Sequence, residues 1–237
     1  SLYYPGILHL SELGLSAAES NTLGKSLEAY ASGDLIAAYT NWPADYQPSS
    51  DATRVYRAAT RLAVGQVERA GQELGGLNSR RAATSPRTEA AVAPADRLAA
   101  ALEKIIDVVR DRGGESSSTA LPGTPRVPER LATEWLAESI AQQKRLNLDS
   151  SLSAARAAVE VAPDFAFGWA RVAELEFGFG RIAASMRALD RSLELAPRNA
   201  QALALKGFLL AAQNRIPAGI EFFDRAIAID GSLDNAW

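Results

Sequence analysis

The chain has 237 residues, of which 47% are hydrophobic, and its 28 acidic and 25 basic residues give a net charge of −3. This length and apolar content suffice for a folded core and exclude a chain that is disordered throughout. The absence of cysteine excludes disulfides, thiolate metal sites and cysteine nucleophiles. The slightly acidic balance argues against a nucleic-acid partner, and the apolar runs are too short for membrane insertion.

Residues 1–19 are expected to form an N-terminal extension, and they contain the only histidine, His9. A lone histidine in a short apolar stretch is far more often structural or exposed than catalytic. One histidine and no cysteine support neither a Ser-His-Asp triad nor a zinc site. We therefore predict no catalytic residue, no metal site and no cofactor. An enzyme with an all-carboxylate site ranks last among the hypotheses, since the acidic residues are scattered along the sequence.

Two helix pairs are predicted in the N-terminal part, within residues 20–77. Short polar or glycine-containing segments separate the helices, and Pro43 stops the second of them. The predicted helices cover residues 20–31, 35–41, 51–64 and 66–77. Their spacing is not in register with the repeats that follow later in the chain.

The segment 78–128 is predicted to be irregular apart from one helix. Residues 95–110 place their apolar side chains on a single helical face. These side chains are Leu98, Leu102, Ile105, Ile106 and Val109. Residues 111–128 contain glycine, serine and three prolines, a composition typical of a connector or surface loop.

A 34-residue period organises the C-terminal part of the chain. Large apolar residues recur at this spacing as Trp135, Trp169, Leu203 and Trp237. Small residues follow four positions later, where one helix is expected to pack closely on its partner. These are Ser139, Ala173 and Gly207, and a second small column is Ser151, Ser185 and Gly219. Pro163 and Pro197 are predicted to end the second helix of a unit.

The turn between the two helices of each unit is predicted at or near Asn147, Gly180 and Asn214. Glycine and asparagine tolerate the left-handed backbone that such turns require. Residues 178–183 formally match G-x-G-x-x-A, but a dinucleotide-binding motif follows a β-strand. Helical repeats flank this match on both sides, so we interpret it as a turn.

The order of these columns resembles that of tetratricopeptide (TPR) repeats. The resemblance covers residues 129–237, as three units in 34-residue register and the start of a fourth at Trp237. It implies an all-α fold, a right-handed α-solenoid of helix-turn-helix units. The two helix pairs within residues 20–77 are interpreted as degenerate units of the same kind.

The resemblance also implies a concave groove lined by the first helix of each unit. Largely apolar grooves of this kind typically bind a protein or peptide segment. The alternative is that neighbouring helices, or the N-terminal half folding back, cover these side chains. The predicted groove residues are Ile140, Gln143, Phe167, Arg171, Glu174, Phe177, Gln201 and Phe208.

A second resemblance concerns location. The segments 2–6, 132–139 and 200–207 are similar to bacterial exported proteins in which a FecR-type domain precedes a TPR array. This implies an internal piece of a larger protein in the periplasm or cell envelope, with the cytoplasm as the alternative.

The function predicted from these features is that of a non-catalytic scaffold for protein–protein interaction. The alternative is a structural spacer or self-association module of a larger envelope protein. Self-association is expected through the end of the array, where Trp237 opens a further unit.

Overall fold

The computed structural model of the chain describes residues 6–84, 93–110 and 130–232. Within these ranges it contains one short 3₁₀ helix, Leu10–Glu12, and twelve α-helices, with no β-strand. The helices are α1 Ala17–Thr22, α2 Gly24–Ala31, α3 Leu35–Thr40, α4 Asp51–Ala63, α5 Val67–Thr84, α6 Pro94–Val109, α7 Ala132–Lys144, α8 Leu148–Val161, α9 Ala166–Gly178, α10 Ile182–Leu195, α11 Ala200–Ala212 and α12 Ile216–Ile229. The all-α prediction is confirmed.

The C-terminal helices form three successive hairpins. Helices α7 and α8, α9 and α10, and α11 and α12 pack against each other as pairs. Each pair also packs on the next, through α8 on α9 and α10 on α11, and the first helices α7, α9 and α11 contact one another in sequence. The N-terminal helices pair as α2 with α3 and α4 with α5, and α6 joins α4 and α5 to α7. The predicted α-solenoid is therefore confirmed.

Small residues let the two helices of a pair cross closely. In the first pair the Ser151 hydroxyl donates to the Ser139 carbonyl oxygen at 2.7 Å, and both residues are fully buried. In the third pair a Cβ placed on Gly207 would lie 3.0 Å from the Gly219 carbonyl oxygen. These crossings leave no room for a larger side chain, which is why both columns recur with the repeat.

The turns inside the hairpins need one left-handed residue each. That residue is Leu146 in the first pair (φ 63°), Gly180 in the second (φ 72°) and Asn214 in the third (φ 61°). The three are spaced by 34 residues. Asn147 was the residue predicted at or near the first turn, but it acts as the N-cap of α8, and its neighbour Leu146 takes the left-handed conformation.

The N-terminal extension is part of the core. Ile7, Leu8 and Leu13 are between 1% and 3% exposed. The backbone N–H groups of Ile7 and Leu8 donate to the Tyr30 hydroxyl oxygen at 3.2 and 3.0 Å. The Tyr30 ring in turn contacts Phe167, with 5.4 Å between ring centroids. This segment therefore joins the first helix pair to α9.

The first helix pair also reaches the third hairpin. The Arg198 N–H donates to the Ser32 carbonyl oxygen at 2.8 Å, and its guanidinium pairs with the Asp34 carboxylate at 2.8 Å. Gly33 (φ +91°) packs so closely that an added Cβ would lie 2.6 Å from the Asn199 nitrogen. The N-terminal half thus folds back over the repeats.

Helix α6 carries the apolar face predicted for residues 95–110. Leu98, Leu102, Ile105 and Ile106 on that face are at most 2% exposed. Ion pairs from Arg97 to Glu134 and from Lys104 to Glu138 fasten α6 to α7. The predicted loop 111–128 and the predicted opening residue Trp237 lie outside the described residues.

Candidate partner-binding groove

All eight predicted groove residues lie on the first helices of the three hairpins. Ile140 and Gln143 are on α7, and Gln201 and Phe208 are on α11, while α9 carries the other four. The helices α7, α9 and α11 contact one another in sequence. The eight residues differ in exposure.

The N-terminal ends of these helices are covered by the chain itself. Phe167 is only 7% exposed, and a Cβ added to Gly6 would lie 2.5 Å from its ring. Phe167 shares a buried cluster with Leu136, Ile7 and Leu8. For Phe167 the structure therefore shows the intramolecular alternative, in which the N-terminal half covers the groove.

Residues 6–12 are fixed there by polar contacts. The His9 N–H donates to the Thr133 hydroxyl at 3.0 Å, and the His9 ring packs on Phe165 with 5.2 Å between centroids. The Glu12 carboxylate accepts the N–H groups of Ala132 and Thr133 at 2.6 and 3.2 Å. The first N–H groups of an α-helix have no hydrogen-bond acceptor within the helix, so the Glu12 carboxylate caps the start of α7. The segment binds these helix ends much as a separate peptide would.

Arg171 is buried between the first two hairpins, with 6% exposure. Its Nε donates to the Ser139 hydroxyl at 3.0 Å, and its Nη2 contacts the Ser151 hydroxyl at 3.2 Å. Its Nη1 pairs with the Glu174 carboxylate at 2.7 Å. The Arg171 side chain thus joins α9 to α7 and α8 inside the molecule and leaves Glu174 at the surface.

Three predicted residues are partly covered. Ile140 packs against the buried cluster that contains Leu136, so it contributes little free surface. Gln143 and Gln201 are of intermediate exposure. Their amide groups remain able to exchange hydrogen bonds with a partner.

Two phenylalanines are the large exposed apolar residues of the groove. Phe177 on α9 and Phe208 on α11 are each 37% exposed. Phe208 stacks edge-to-face on Phe223 at 4.8 Å between centroids, which fixes its orientation. We call the set Gln143, Glu174, Phe177, Gln201 and Phe208 the open groove.

A buried carboxylate holds α9 in place behind Phe177. Burial alone would raise the pKa of Glu176, but hydrogen bonds and charges from Arg156 and Arg181 outweigh it and lower that pKa. The side chain of Glu176 is 3% exposed and pairs with both arginines. The ion pairs link α9 to α8 and to the turn before α10, next to the position of Phe177.

Comparison with known proteins supports the repeat assignment. No protein-family model matches the sequence, and no curated protein matches it. Among solved structures, a tetratricopeptide repeat protein from Parabacteroides merdae matches with a TM-score of 0.52 and 16% identity, over 92% of this chain and 78% of that one. The chain has the TPR fold.

Two further solved structures are similar to this TPR chain. YrrB, described as a TPR protein with an unusual peptide-binding site, matches with a TM-score of 0.44 and 14% identity, over 77% of this chain and 88% of that one. The TPR2AB domain of yeast Sti1 in complex with pHSP90 matches with a TM-score of 0.41 and 14% identity, over 92% of each chain.

A concavity on the N-terminal helices α4 and α5 was not predicted from the sequence. It has a volume of about 600 Å³ and is lined by Arg54, Arg57, Arg61 and Arg69. The available signal was the spacing of the first three arginines, which puts them on one face of α4. In the described part of the chain there is no cluster of metal-ligating side chains, and no described helix is long and apolar enough to cross a membrane.

Proposed function

We propose that the protein is a non-catalytic TPR scaffold that binds a peptide or protein segment in the open groove. The observation that carries this proposal is the pair of exposed phenylalanines, Phe177 and Phe208, on neighbouring first helices. Aromatic side chains held in fixed orientation are typical anchors of protein interfaces.

The covered end of the same surface supports the proposal. There residues 6–9 of this chain bind α7 and α9 through Phe167 and Thr133. The surface thus accommodates a non-helical segment of polypeptide, and Phe177 and Phe208 lie farther along α9 and α11, toward the C-terminal ends of these helices. Gln143, Glu174 and Gln201 supply polar groups on the same three helices.

The open groove is tested by selecting peptides from a displayed random library on the full chain. We expect the Phe177→Ala/Phe208→Ala variant to bind the selected peptides at least about tenfold more weakly, since truncating each anchor costs on the order of 1–2 kcal/mol. Titration calorimetry with one synthetic peptide gives the two dissociation constants.

The matched control is Leu148→Ala/Val161→Ala. These residues of α8 are 41% and 43% exposed, so the same apolar surface is removed elsewhere. Equal loss of affinity in both double variants, or no loss in either, would contradict the proposal that the peptide binds in the open groove.

A structural role is a second candidate, and Ile220 favours it. Ile220 is 52% exposed, whereas Leu152, two repeats earlier at the same register position, is 4% exposed. An exposed apolar residue of this size favours association through the face of α12 that carries Ile220. Sedimentation velocity over a concentration series tests this, because self-association there predicts a dimer that Ile220→Glu abolishes.

The location also remains a proposal. We infer a periplasmic or envelope location from the resemblance of segments 2–6, 132–139 and 200–207 to exported proteins with a FecR-type domain, with the cytoplasm as the alternative. Release of the native protein by osmotic shock, alongside a periplasmic marker, would support it, and retention with a cytoplasmic marker would contradict it.

A further inference from the structure

Helix α3 is much shorter than the second helices of the later hairpins. It has 6 residues, whereas α8, α10 and α12 have 14 each. At 1.5 Å per residue the difference is about 12 Å of helix. Helices α8 and α10 pack on the first helix of the following hairpin, and the short α3 likewise packs on α4. After α3 the chain continues as the loop 41–50, and a cleft opens beside this loop against α4 and α5.

The cleft is strongly basic. Arg54, Arg57 and Arg61 of α4 and Arg69 of α5 line it, and Glu73 is the one acidic residue in that lining. Arg54 also pairs with Asp51 at 3.4 Å, so the four arginines outnumber the two carboxylates that pair with them, in a chain whose net charge is −3. A second concavity of about 440 Å³ shares Arg57 and Arg61 and adds an aromatic wall. That wall consists of Tyr39, Trp42 and Tyr46.

Glu73 shows which chemistry the arginines accept. The Nε and Nη2 of Arg57 donate to the two Glu73 carboxylate oxygens at 3.0 and 2.6 Å, and Arg61 donates to the same group. This is the two-pronged geometry in which guanidinium binds carboxylate strongly. Arg57 is also held over the Trp42 ring at 5.7 Å. Two of the four guanidiniums are thus already positioned around a carboxylate.

The other two arginines are only loosely held. Arg54 donates to the Pro48 carbonyl oxygen at 3.3 Å and to Asp51 at 3.4 Å, and Arg69 donates to Gln66 at 3.4 Å. Each guanidinium carries five N–H donors, so these contacts use a minority of them. Both side chains have donors to offer to a ligand.

The spacing of the charges selects the kind of ligand. Arg54 and Arg61 are seven residues apart on α4, or about 10 Å along the helix axis. A single phosphate or carboxylate cannot reach both ends of that row. An extended peptide advances about 3.3 Å per residue, so roughly three residues span it.

We propose that this cleft is a second binding site, which takes an extended acidic segment of a partner protein. Carboxylates of that segment pair with Arg54 and Arg69, and its apolar side chains contact the wall around Trp42. The site lies on α4 and α5, away from the open groove on α7, α9 and α11.

Fluorescence anisotropy with a labelled peptide of alternating Glu and Gly tests the proposal on the full chain at low ionic strength. We expect Arg54→Gln/Arg69→Gln to weaken binding about tenfold or more, because charge-assisted hydrogen bonds are lost. The matched control is Arg187→Gln/Arg191→Gln, which removes the same charge from the exposed face of α10. It should change the affinity by less than about twofold, and the peptide with Gln in place of Glu should not bind measurably.

Two further variants test the role of Glu73 and the separation of this site from the open groove. Glu73→Gln removes the internal competing carboxylate and should tighten binding of the acidic peptide about threefold, with folding checked by circular dichroism. Phe177→Ala/Phe208→Ala should bind it like the wild type, which separates this site from the open groove. Equal affinities in the site and control variants would overturn the proposal. So would inorganic phosphate that binds as tightly as the peptide and displaces it.

Discussion

Leu146 is a large apolar residue in a backbone conformation that glycine adopts at the equivalent turn of the next hairpin. Its φ is 63° and its side chain is 84% exposed, so no packing offsets the strain. A left-handed conformation costs an L-amino acid about 1–2 kcal/mol. The hairpin forms nevertheless, because the crossing at Ser139 and Ser151 and the helices on both sides require a turn here.

Leu146→Gly is therefore expected to stabilise the protein. The free energy of unfolding should rise by about 0.5–1 kcal/mol, which is the relief of strain less the greater chain entropy of unfolded glycine. The reciprocal change Gly180→Leu should lower it by about 0.5–1 kcal/mol, since the same two effects act in reverse. Urea unfolding measures both, and a destabilising Leu146→Gly would show that the Leu146 side chain has a role that its exposure conceals.

At the level of single elements, the start of α1 depends on a capping box. The Ser16 hydroxyl accepts the Glu19 N–H, and the Glu19 carboxylate accepts the Ser16 N–H at 2.9 Å. Hydrogen bonds from Ser50, and then from Ser16, lower the pKa of Glu19 from 4.5 to about 2. The Ser49 hydroxyl also donates to the Glu19 Oε1 at 3.1 Å, so Glu19 ties α1 to the segment just before α4.

This contact makes stability depend on pH in a defined direction. Because the pKa of Glu19 is lower in the folded state, its contribution is complete above pH 4.5 and is lost as the pH falls toward about 2. With allowance for solvent screening, Glu19→Gln should cost about 1 kcal/mol at neutral pH. Urea unfolding at several pH values should show the two curves converging below pH 4.5. A constant difference down to the lowest pH would contradict the assignment.

For the whole molecule, the decisive contact joins the first helix pair to the loop before α11. The Arg198–Asp34 ion pair connects residues 164 positions apart, and Gly33 lies directly against the Asn199 backbone. With residues 6–12 on the ends of α7 and α9, this contact folds the N-terminal half over the array. Phe167 is buried under the N-terminal half, whereas Phe177 and Phe208 remain exposed.

Gly33→Ala should break this contact. The positive φ of 91° and the 2.6 Å approach to Asn199 both oppose a Cβ, so we expect a loss of about 2 kcal/mol or more. The Arg198 amide, which donates to Ser32, should exchange its hydrogen faster. Gly24→Ala is the control, since Gly24 has no positive φ and no atom within 4 Å of an added Cβ. Unchanged protection of the Arg198 amide in Gly33→Ala would contradict this account.

The 34-residue columns determined the hairpins α7 to α12, because each unit repeats the same local contacts. Trp135 and Trp169, with the small residues at each crossing, carry that signal without any long-range information. The helix α6 was predictable for a similar reason, since the apolar stripe of Leu98, Leu102 and Ile105 is periodic by itself. The turn residue Leu146 was not, because its conformation is imposed by the helices around it.

Only the tertiary structure decided which groove residues are open and where the second cleft lies. Phe167 is buried by residues 6–12, and Arg171 is buried where it bonds to Ser139, whereas Phe177 remains exposed. The residues that cover Phe167 and Arg171 are distant from them in sequence. The basic cleft lies where the loop 41–50 follows the 6-residue helix α3 and meets the arginine-bearing face of α4 and α5. Contacts between distant parts of the chain produce no periodic pattern in the sequence. Helices and their crossings do, because they are built from residues three to four positions apart.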